Sequence, residues 1–597
     1  MEKEFTVASY LKARMEQLDI VQMFGIAGNY TAPLLDTILA DKQSPIKISG
    51  NSNEITAGFA ADGYARIKGK PSAMYVTYSV GPFTGLNPIA GSFVEQVPVL
   101  MINGAPTNKE DSNEKNVGLL YSHTTGYQFV DIHMFRPITV AAERITNAAQ
   151  APYQIDSVLT ALITHQRPVY LEVTEDVWRA ECKQPEGRIT SGVGRYVTVH
   201  EARDAVKAAM ELIEKRPKSI FWAGIEIQRL GLQEEFLELL GEVNDHHTKS
   251  DESIHFVTSA LGKSVISEDH PYFEGCVTMT KETINNLVGE DGVIIGIGAW
   301  TIGKDTENQN IRSDRTILAS HDGVFVGSEF FPLVSLKQFI RKLTKAFKKR
   351  HLKQKKSLGL TGIHLPDNSI GALAKEKKEL GYTTFFNALD GWITKDDVVV
   401  VDAGFPLIGA QSVKIPARNG FVAQAAWLAI GYSVASATGV KCAVPNKRVM
   451  VVVGDGAFHE TCQAVADQHA YGQNTVVFVL ANGIYGIEQY LVNPNPFRRP
   501  PVDYSDKLLD SVYAYNEIPK WDYAKIPEAM GGIGRNVNSV KELATVMEEI
   551  RNTPEANFVV GVSIPETDSP ESLWPHLNTV VGEDETENPN WPPEAKF

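Results

Sequence analysis

Cysteine and long apolar runs are both scarce in this sequence. Its 597 residues include only four cysteines (Cys182, Cys276, Cys442 and Cys462), which are far apart and show no metal-ligand spacing. This argues against a disulfide framework and favours buried thiols in a reducing compartment. No stretch approaches the roughly 20 apolar residues that cross a bilayer, and the N-terminal segment is amphipathic rather than an apolar signal region. We therefore expect a cytoplasmic protein that does not contact membranes.

Basic charge is also in the minority. Lysine and arginine total 57 against 72 aspartate and glutamate, which gives a net charge of −15. Such an acidic chain argues against general nucleic-acid binding, which favours basic surfaces. The exception is a basic stretch at residues 337–356. We interpret it as a solvated helix and linker at a domain boundary, with a helix that binds a membrane surface or an acidic partner as the alternative.

What the sequence does contain is a repeated alternation of helix-like and strand-like segments. The apolar fraction of 43% and the charged fraction of 22% are typical of globular proteins with sizeable cores. Alternating elements predict parallel sheets built from βαβ units. The expected fold class is therefore α/β, with three doubly wound parallel-sheet domains. We place an N-terminal domain at 1–185, a middle domain at 195–345, a basic linker at 346–375, a C-terminal domain at 376–565 and a tail at 566–597.

The most informative feature is a pair of strand-like apolar runs that end in small or polar residues. The first ends in the sequence GDG at 454–456, and the second ends at Asn482. Because the carboxyl ends of parallel strands share one edge of a sheet, Asp455 and Asn482 should lie close together. Their oxygens are hard ligands of the kind that Mg²⁺ prefers, with a diphosphate completing the shell. Gly456 would let the backbone approach the phosphates at a helix N-terminus.

Further segments resemble a known family. Residues 51–66, NSNEITAGFAADGYAR, resemble the N-terminal hallmark of thiamine diphosphate (ThDP) enzymes, and the GDG segment resembles their C-terminal signature. Segment 424–433 resembles the family's segment that contains an apolar wedge. Segments 24–36, 86–100, 167–173, 261–275 and 515–523 narrow the resemblance to the pyruvate and indolepyruvate (phenylpyruvate) decarboxylase family, over nearly the whole chain. The resemblance implies a pyrimidine-binding N-terminal domain, a middle domain and a diphosphate-binding C-terminal domain, with ThDP and Mg²⁺ as cofactors.

The resemblance also implies which residues hold the cofactors. Glu54 would bind the aminopyrimidine of ThDP, although a glutamate at a helix N-terminus is also common for electrostatic reasons alone. Ile430 would be the apolar wedge that bends the cofactor, and the backbone carbonyl of Leu428 would accept a hydrogen bond from it. The implied Mg²⁺ ligands are the side chains of Asp455 and Asn482 and the backbone carbonyl of Ile484. The full cofactor-binding set is Glu54, Gly404, Leu428, Ile430, Gly454, Asp455, Gly456, Ala457, Asn482 and Ile484.

The candidate catalytic residues include positions where the chain departs from the family. The implied catalytic residues are Glu54, Asn29, Ser122, His123 and Glu488, and the implied substrate pocket contains Leu407, Ile487 and Leu491. The family usually has aspartate in place of Asn29 and a second histidine in place of Ser122. Neither residue of this chain can serve as a proton carrier, so Glu488 and His123 are the best remaining candidates for the late proton transfers. Phe405 replaces a hydroxyl residue near the diphosphate, so one phosphate contact would be lost or supplied elsewhere.

These inferences predict an enzyme that decarboxylates a 2-oxo acid with ThDP and Mg²⁺ and releases an aldehyde. Pyruvate, a branched-chain oxo acid or an aryl pyruvate fits an apolar pocket. A carboligase that forms 2-hydroxy ketones (acyloins) is an alternative, and a binding protein that keeps the fold without catalysis is a third. The family implies a homodimer or homotetramer with active sites at the subunit interface. His321 is expected to be structural, and the extra residues Asn493–Val512 are interpreted as inert surface, a lid or a partner-subunit contact.

Overall fold

Three α/β units, each built around one sheet, make up the structure. It is a computed structural model that describes residues 5–191, 198–244, 253–301, 314–350, 379–498, 511–574 and 577. The described strands form two sheets of six and one of seven. This architecture confirms the expected α/β fold class.

The N-terminal unit contains a parallel sheet of six strands in the order β2-β1-β3-β4-β6-β5. Alternate residues of these strands belong to two separate apolar clusters, so helices cover both faces. The elements are α1 (Val7–Gln17), β1 (Gln22–Gly25), α2 (Ala32–Ala40), β2 (Lys47–Gly50), α3 (Glu54–Lys68), β3 (Ser72–Val76), α4 (Val80–Thr84), α5 (Leu86–Val94), β4 (Val99–Ala105), α6 (Asn108–Val117), α7 (Val130–Phe135), β5 (Ala142–Ile145), α8 (Ala151–His165), β6 (Val169–Thr174) and α9 (Glu175–Trp178).

The middle unit contains a sheet of seven strands in the order β13-β12-β11-β10-β7-β8-β9. Its core strands are parallel, and a hairpin adds the antiparallel edge strands β12 and β13. The elements are α10 (Val199–Glu214), β7 (Ser219–Ala223), α11 (Glu226–Arg229), α12 (Gln233–Asn244), β8 (Phe256–Thr258), β9 (Phe273–Cys276), α13 (Lys281–Val288), β10 (Val293–Ile297), β11 (Thr316–Ser320), β12 (Gly323–Val326), β13 (Glu329–Phe331) and α14 (Leu336–Arg350).

The C-terminal unit contains a parallel sheet of six strands in the order β15-β14-β16-β17-β19-β18. Its central strands are rich in valine, which suits strands buried on both faces. The elements are α15 (Tyr382–Asp390), β14 (Asp397–Val401), α16 (Phe405–Ala410), β15 (Phe421–Ala423), α17 (Tyr432–Ala443), β16 (Arg448–Gly454), α18 (Asp455–Thr461), α19 (Ala464–Ala470), β17 (Val476–Ala481), α20 (Gly486–Val492), α21 (Ile526–Met530), β18 (Ile533–Val537), α22 (Val540–Asn552) and β19 (Phe558–Ser563).

Helices α3 and α17 join the N-terminal and C-terminal units. They run antiparallel, with Gly63 facing Ser436 and Gly439 facing Ala60. The helices approach closely because glycine lacks a Cβ: one at Gly439 would lie 1.8 Å from the carbonyl oxygen of Ala60. The antiparallel packing places Glu54, the first residue of α3, at the opposite end of the pair from the start of α17.

Buried polar contacts fix the middle unit against its neighbours. Lys263 Nζ lies 2.9 Å from Glu268 Oε1, and both side chains are almost fully buried. Glu268 also accepts a hydrogen bond at 2.7 Å from a backbone N–H of the C-terminal unit. His321 contacts the buried Glu226 of its own unit and Gln96 of the N-terminal unit. These contacts agree with the structural role expected of His321.

The basic stretch is a solvated helix as far as it is described. Helix α14 buries Phe339 and Leu343 in the core, while Lys337 and Lys348 pair with glutamates of α12. Residues 337–350 are helical, so the first residues of the predicted linker 346–375 belong to this helix, and 351–378 lie outside the described residues. All four cysteines are free, but only Cys462 is buried, so the expectation of buried thiols was too general. Within the described ranges, no helix is both long enough and apolar enough to span a membrane.

A buried polar network lies beneath the helices of the N-terminal sheet. Glu172 on β6 accepts a hydrogen bond from the hydroxyl of Tyr170 at 2.7 Å, and Arg144 Nε lies 3.1 Å from its other oxygen. Burial raises the pKa of Glu172 to about 7, although Arg144 acts in the opposite direction. The folded domain therefore keeps a proton on Glu172 at a pH where the unfolded chain has released it.

The stability of the N-terminal unit is expected to fall as the pH rises through about 7. The unfolded carboxyl has its ordinary pKa of 4.5, so only the folded state holds this proton between the two values. The shift corresponds to at most about 3 kcal/mol of stability, which is lost above the higher pKa. Glu172→Gln should remove this pH dependence in urea unfolding at about pH 5 and about pH 8. An equal pH dependence in both proteins would contradict the assignment.

Candidate functional site

The GDG turn and Asn482 lie together at the carboxyl edge of the third sheet. Strands β16 and β17, which precede them, are parallel neighbours. Asp455 Oδ2 accepts a hydrogen bond from the N–H of Gly483 at 2.6 Å, so the two strand ends touch as predicted. Burial raises the pKa of Asp455 to about 6, against backbone hydrogen bonds that lower it.

The donors at this edge fit a hard cation such as Mg²⁺. Asp455 is 3% exposed and Asn482 5%, and the amide nitrogen of Asn482 has no hydrogen-bond partner among the described residues. Ile484 is buried next to them, and its N–H lies 3.4 Å from Asn482 Oδ1. The described residues hold no cluster of three His, Cys, Asp or Glu side chains that could bind a metal. A metal here would therefore take amide, carbonyl and diphosphate oxygens beside the single carboxylate.

Small residues form the turn next to these donors. Gly456 packs against the ring of Tyr485, which would lie 2.4 Å from a Cβ at this position. Gly454 and Ala457 flank the turn on either side. A cavity of about 390 Å³, lined in part by the two side-chain candidates for the metal, opens at this edge. The missing Cβ of Gly456 thus makes room for the ring of Tyr485, and the open space at this edge is the cavity beside Asp455 and Asn482.

The segment after β14 combines a glycine turn with an aromatic cluster. Gly404 has a φ of 85°, and a Cβ there would lie 3.3 Å from Ile487 Cγ2. Phe405 is buried and packs edge-to-face against Tyr382 and Phe497. The sequence indicated only that a hydroxyl is missing at position 405. The structure supplies the reason for the phenylalanine, since its ring fills the core between α15 and α20.

The loop before α17 presents two aliphatic side chains to solvent. Leu428 is 38% exposed and Ile430 39%, and Leu428 has a φ of 59°. The buried Asp402 accepts hydrogen bonds from the N–H of Gly431 at 3.2 Å and of Ser433 at 2.8 Å. The loop is therefore held in one shape while its apolar side chains remain uncovered. A fixed loop with exposed apolar side chains is what we expect of an apolar wedge that a bound molecule would cover.

Two carboxylates that brace this loop were missed by sequence reasoning. Asp402 follows β14 directly, so the rule that identified Asp455 could have found it as well. Glu95 accepts hydrogen bonds from the N–H groups of Ala426 at 2.8 Å and of Trp427 at 3.1 Å. No local signal marks this role of Glu95, because the loop that it braces lies more than 300 residues away and in another unit.

Helix α20 carries the candidate pocket residues beside the metal edge. Glu488 and Leu491 are exposed and Ile487 is half-buried, whereas Leu407 is buried in α16 below them. The buried Gln489 fixes the helix: its Oε1 accepts hydrogen bonds from Tyr513 N and Asn516 Nδ2, both at 2.9 Å, and its Nε2 donates to Asn493 O at 3.0 Å. The ends of the extra segment are thus tied to α20, and residues 499–510 within it lie outside the described residues.

Glu54 occupies the first turn of α3, at the carboxyl edge of the first sheet. Asn53 caps this helix by accepting a hydrogen bond from Thr56 N at 2.8 Å. Glu54 Oε1 lies 3.4 Å from where a Cβ at Gly81 would be, and its carboxylate has no hydrogen bond among the described residues. Its place in the first turn is what stabilisation of the helix dipole alone would predict. The absence of a hydrogen bond to its carboxylate among the described residues is what a ligand-binding role would predict.

Asn29, Ser122 and His123 are exposed at this same edge. Their neighbours Tyr30 and Tyr121 pack around Tyr78 in one small cluster. His123 has a φ of 70°, a left-handed conformation that is uncommon outside glycine. The structure therefore gathers the candidate catalytic residues of the N-terminal half around a single sheet edge.

A single chain does not bring the two halves together. Glu54 begins α3, whereas Ile430 lies two residues before the start of α17, and the two helices are antiparallel. At 1.5 Å per residue, these ends lie about 20 Å apart along the helix pair. One chain therefore holds two half-sites, one with Glu54 and His123 and one with Ile430 and Asp455.

Comparisons with known proteins agree with these half-sites. Residues 5–129 match the family described as "Thiamine pyrophosphate enzyme, N-terminal TPP binding domain". Residues 402–560 match "Thiamine pyrophosphate enzyme, C-terminal TPP binding domain". Each match contains one of the half-sites.

Relatives match along almost the whole length. A probable pyruvate decarboxylase of Schizosaccharomyces pombe is 26% identical, with 96% of both chains covered. Pyruvate decarboxylase isozyme 2 of Saccharomyces cerevisiae is 27% identical, with 96% of this chain and 97% of the other covered. An alpha-keto-acid decarboxylase of Mycobacterium leprae is 26% identical, with 96% and 95% covered. The solved structure of a thiamine diphosphate-dependent 4-hydroxybenzoylformate decarboxylase from Rhodococcus jostii has the same fold, with a TM-score of 0.72 at 16% identity over 94% of this chain and 99% of that one.

Proposed function

The chain belongs to the thiamine diphosphate-dependent (thiamine pyrophosphate-dependent) decarboxylases, and we propose that it removes CO₂ from a 2-oxo acid and releases an aldehyde. The observation that carries this proposal is the pair of half-sites, with Glu54 and His123 on one and Asp455 and Asn482 on the other. Relatives named pyruvate decarboxylases support the substrate class. The apolar side chains around Glu488 support pyruvate, a branched-chain oxo acid or an aryl pyruvate. When bound, ThDP would supply the electron sink for decarboxylation.

Residues of the C-terminal half would hold the cofactors. Asp455, Asn482 and the carbonyl of Ile484 would bind Mg²⁺, and the buried amide nitrogen of Asn482 is free to donate to a phosphate. Ile430 would fill the bend of the cofactor, held in place by the hydrogen bonds from its loop to Asp402. The metal ligands would thus neutralise the charge of the diphosphate through Mg²⁺, whereas Ile430 would set the bent shape of the bound cofactor.

Residues of both halves would handle protons and orient the substrate. Glu54 would exchange a proton with a ring nitrogen of the pyrimidine, since its carboxylate has no hydrogen bond among the described residues. His123 and Glu488 would serve the late proton transfers that precede aldehyde release. Asn29 and Ser122 would orient substrate or water by hydrogen bonding, because neither side chain titrates in the working range.

A homodimer or homotetramer with active sites at the subunit interface completes the proposal. It is supported by the separation of the half-sites along α3 and α17, which a second copy could overcome by supplying the missing half. The exposed Leu428 and Ile430 are further support, because they lie in one loop and grouped apolar side chains at the surface mark binding sites. A cytoplasmic location fits the free cysteines.

Carboligation is a second candidate, favoured by Asn29 and Ser122. With two proton carriers missing, protonation of the substrate-derived carbon would be slower. That carbon would then have more time to attack a second carbonyl, which gives a 2-hydroxy ketone. The first step of both reactions is the same decarboxylation, so only the products separate them.

Incubation with ThDP, Mg²⁺ and pyruvate, a branched-chain oxo acid or phenylpyruvate is expected to give CO₂ and free aldehyde. We expect aldehyde to dominate with and without an added acceptor aldehyde, as measured by gas chromatography, and Asp455→Ala to be inactive. A 2-hydroxy ketone as the main product with the acceptor would favour the carboligase. If none of these acids is converted, the result would favour a binding protein without catalytic activity.

A further inference from the structure

The loop between α6 and α7 holds its histidine in an unfavourable backbone conformation. His123 adopts a φ of 70°, although neither it nor its neighbours on either side is glycine. Its side chain is exposed, so packing of the imidazole does not impose this conformation. Strained residues of this kind persist where the surrounding structure fixes the chain on both sides.

The carboxylate of Glu114 contacts both flanks of this histidine. The hydroxyl of Tyr121 donates to Glu114 Oε2 at 3.0 Å, and the hydroxyl of Thr124 donates to Glu114 Oε1 at 2.5 Å. Tyr121 is two residues before His123, and Thr124 is the residue after it. The N–H of Thr124 also donates to the carbonyl of Tyr121 at 3.3 Å, which closes the turn. Both oxygens of Glu114 are thus used to hold the two flanks of His123.

Glu114 is itself well fixed. It is 7% exposed and lies in the last turn of α6, which Thr107 caps at its start and Gly118 ends with a φ of 68°. The hydroxyl of Tyr121 also lies 2.9 Å from Oδ1 of Asp111, one turn earlier, so the two carboxylates share its single proton, and Asp111 contacts Arg144 as well. The helix therefore offers a rigid base on which a loop can be positioned.

We propose that Glu114 is a positioning residue that holds His123 where the imidazole can serve the late proton transfers. This inference rests on the proposed function. Among the described residues, the hydrogen bonds of the Glu114 carboxylate go only to Tyr121 and Thr124. A carboxylate that served only the stability of the core would have partners in the sheet or in other helices.

The test compares Glu114→Gln with Glu110→Gln in the full chain with ThDP and Mg²⁺. Glutamine is uncharged and accepts only through its oxygen, so Glu114→Gln should replace at least one of the two charge-assisted hydrogen bonds by a weaker contact and loosen that flank of the loop. We expect its kcat for aldehyde formation to fall at least about tenfold, with KM and the ThDP dissociation constant within about twofold. Glu110 lies on the same helix and belongs to the capping box with Thr107, where glutamine serves as well, so Glu110→Gln should behave like the wild type.

A double-mutant cycle with His123→Ala separates positioning from a general structural effect. If Glu114 acts through His123, adding Glu114→Gln to His123→Ala should cause no further loss of kcat. Losses that multiply would overturn the proposal, as would an unchanged kcat in Glu114→Gln.

Hydrogen exchange gives a readout that does not depend on activity. The amides of residues 121–126 should exchange at least about fivefold faster in Glu114→Gln than in the wild type, while those of β4 stay unchanged. Equal exchange in this loop would overturn the positioning role. If the wild type decarboxylates no oxo acid but the loop still loosens, the proposed function fails and the catalytic part of this inference fails with it.

Discussion

Glu54→Gln is expected to abolish decarboxylation while leaving the fold and cofactor binding intact. Glutamine keeps the size of the side chain but cannot exchange a proton with the pyrimidine nitrogen. A proton-transfer group in direct contact with a cofactor is worth about 1,000-fold in rate, so kcat should fall by that order. The measurement is aldehyde release under saturating substrate, with ThDP affinity determined by calorimetry.

The control for this substitution addresses the electrostatic explanation of Glu54. Glu542 also lies in the first turn of a capped helix, at the start of α22. A glutamate that only complements the helix dipole is worth at most about 1 kcal/mol, so Glu542→Gln should be slightly destabilised but fully active. If Glu54→Gln behaves in the same way, Glu54 has no part in the chemistry.

The metal edge of the site could be predicted because its determinants are local. Asp455 and Asn482 each follow an apolar strand, and parallel neighbours in one sheet necessarily bring such ends together. The hydrogen bond from Gly483 to Asp455 is the direct result. The α/β class followed from the same alternation of elements.

Contacts between distant segments could not be predicted in this way. Glu95 braces a loop of another unit, and the ring of Phe405 packs into a cluster drawn from α15 and from the segment after α20. Their contacts depend on how whole units pack, which no periodicity in the chain encodes. Glu114 and Tyr121 are close in sequence, but an acidic and polar loop gives no sign of which hydrogen bonds it will form.

The strand hairpin of the middle unit was missed for a related reason. Strands β12 and β13 are short, of four and three residues, and alternation is hard to recognise over so few positions. They extend the sheet beyond its parallel core and change none of the elements that carry the site.

Mixing two inactive variants is expected to restore activity if each active site is shared between subunits. Glu54→Gln removes the N-terminal half-site, and Asp455→Ala removes the C-terminal one. In a heterodimer of the two variants, one interface site carries both substitutions and the other carries neither. Co-expression with two different affinity tags and tandem purification should therefore yield about half of the wild-type activity per dimer.

An inactive heterodimer would contradict active sites that are shared between subunits. If Glu54 and Asp455 of the same chain formed one site, every site in the heterodimer would carry one substitution, and the purified heterodimer would be as inactive as either parent. Co-expression of Glu54→Gln with a differently tagged copy of itself controls for activity contributed by the host. Restored activity would require a second chain to deliver Glu54 across the roughly 20 Å that separate the half-sites along α3 and α17. The antiparallel packing of α3 and α17 would then explain why this protein needs a second copy of its own chain for activity.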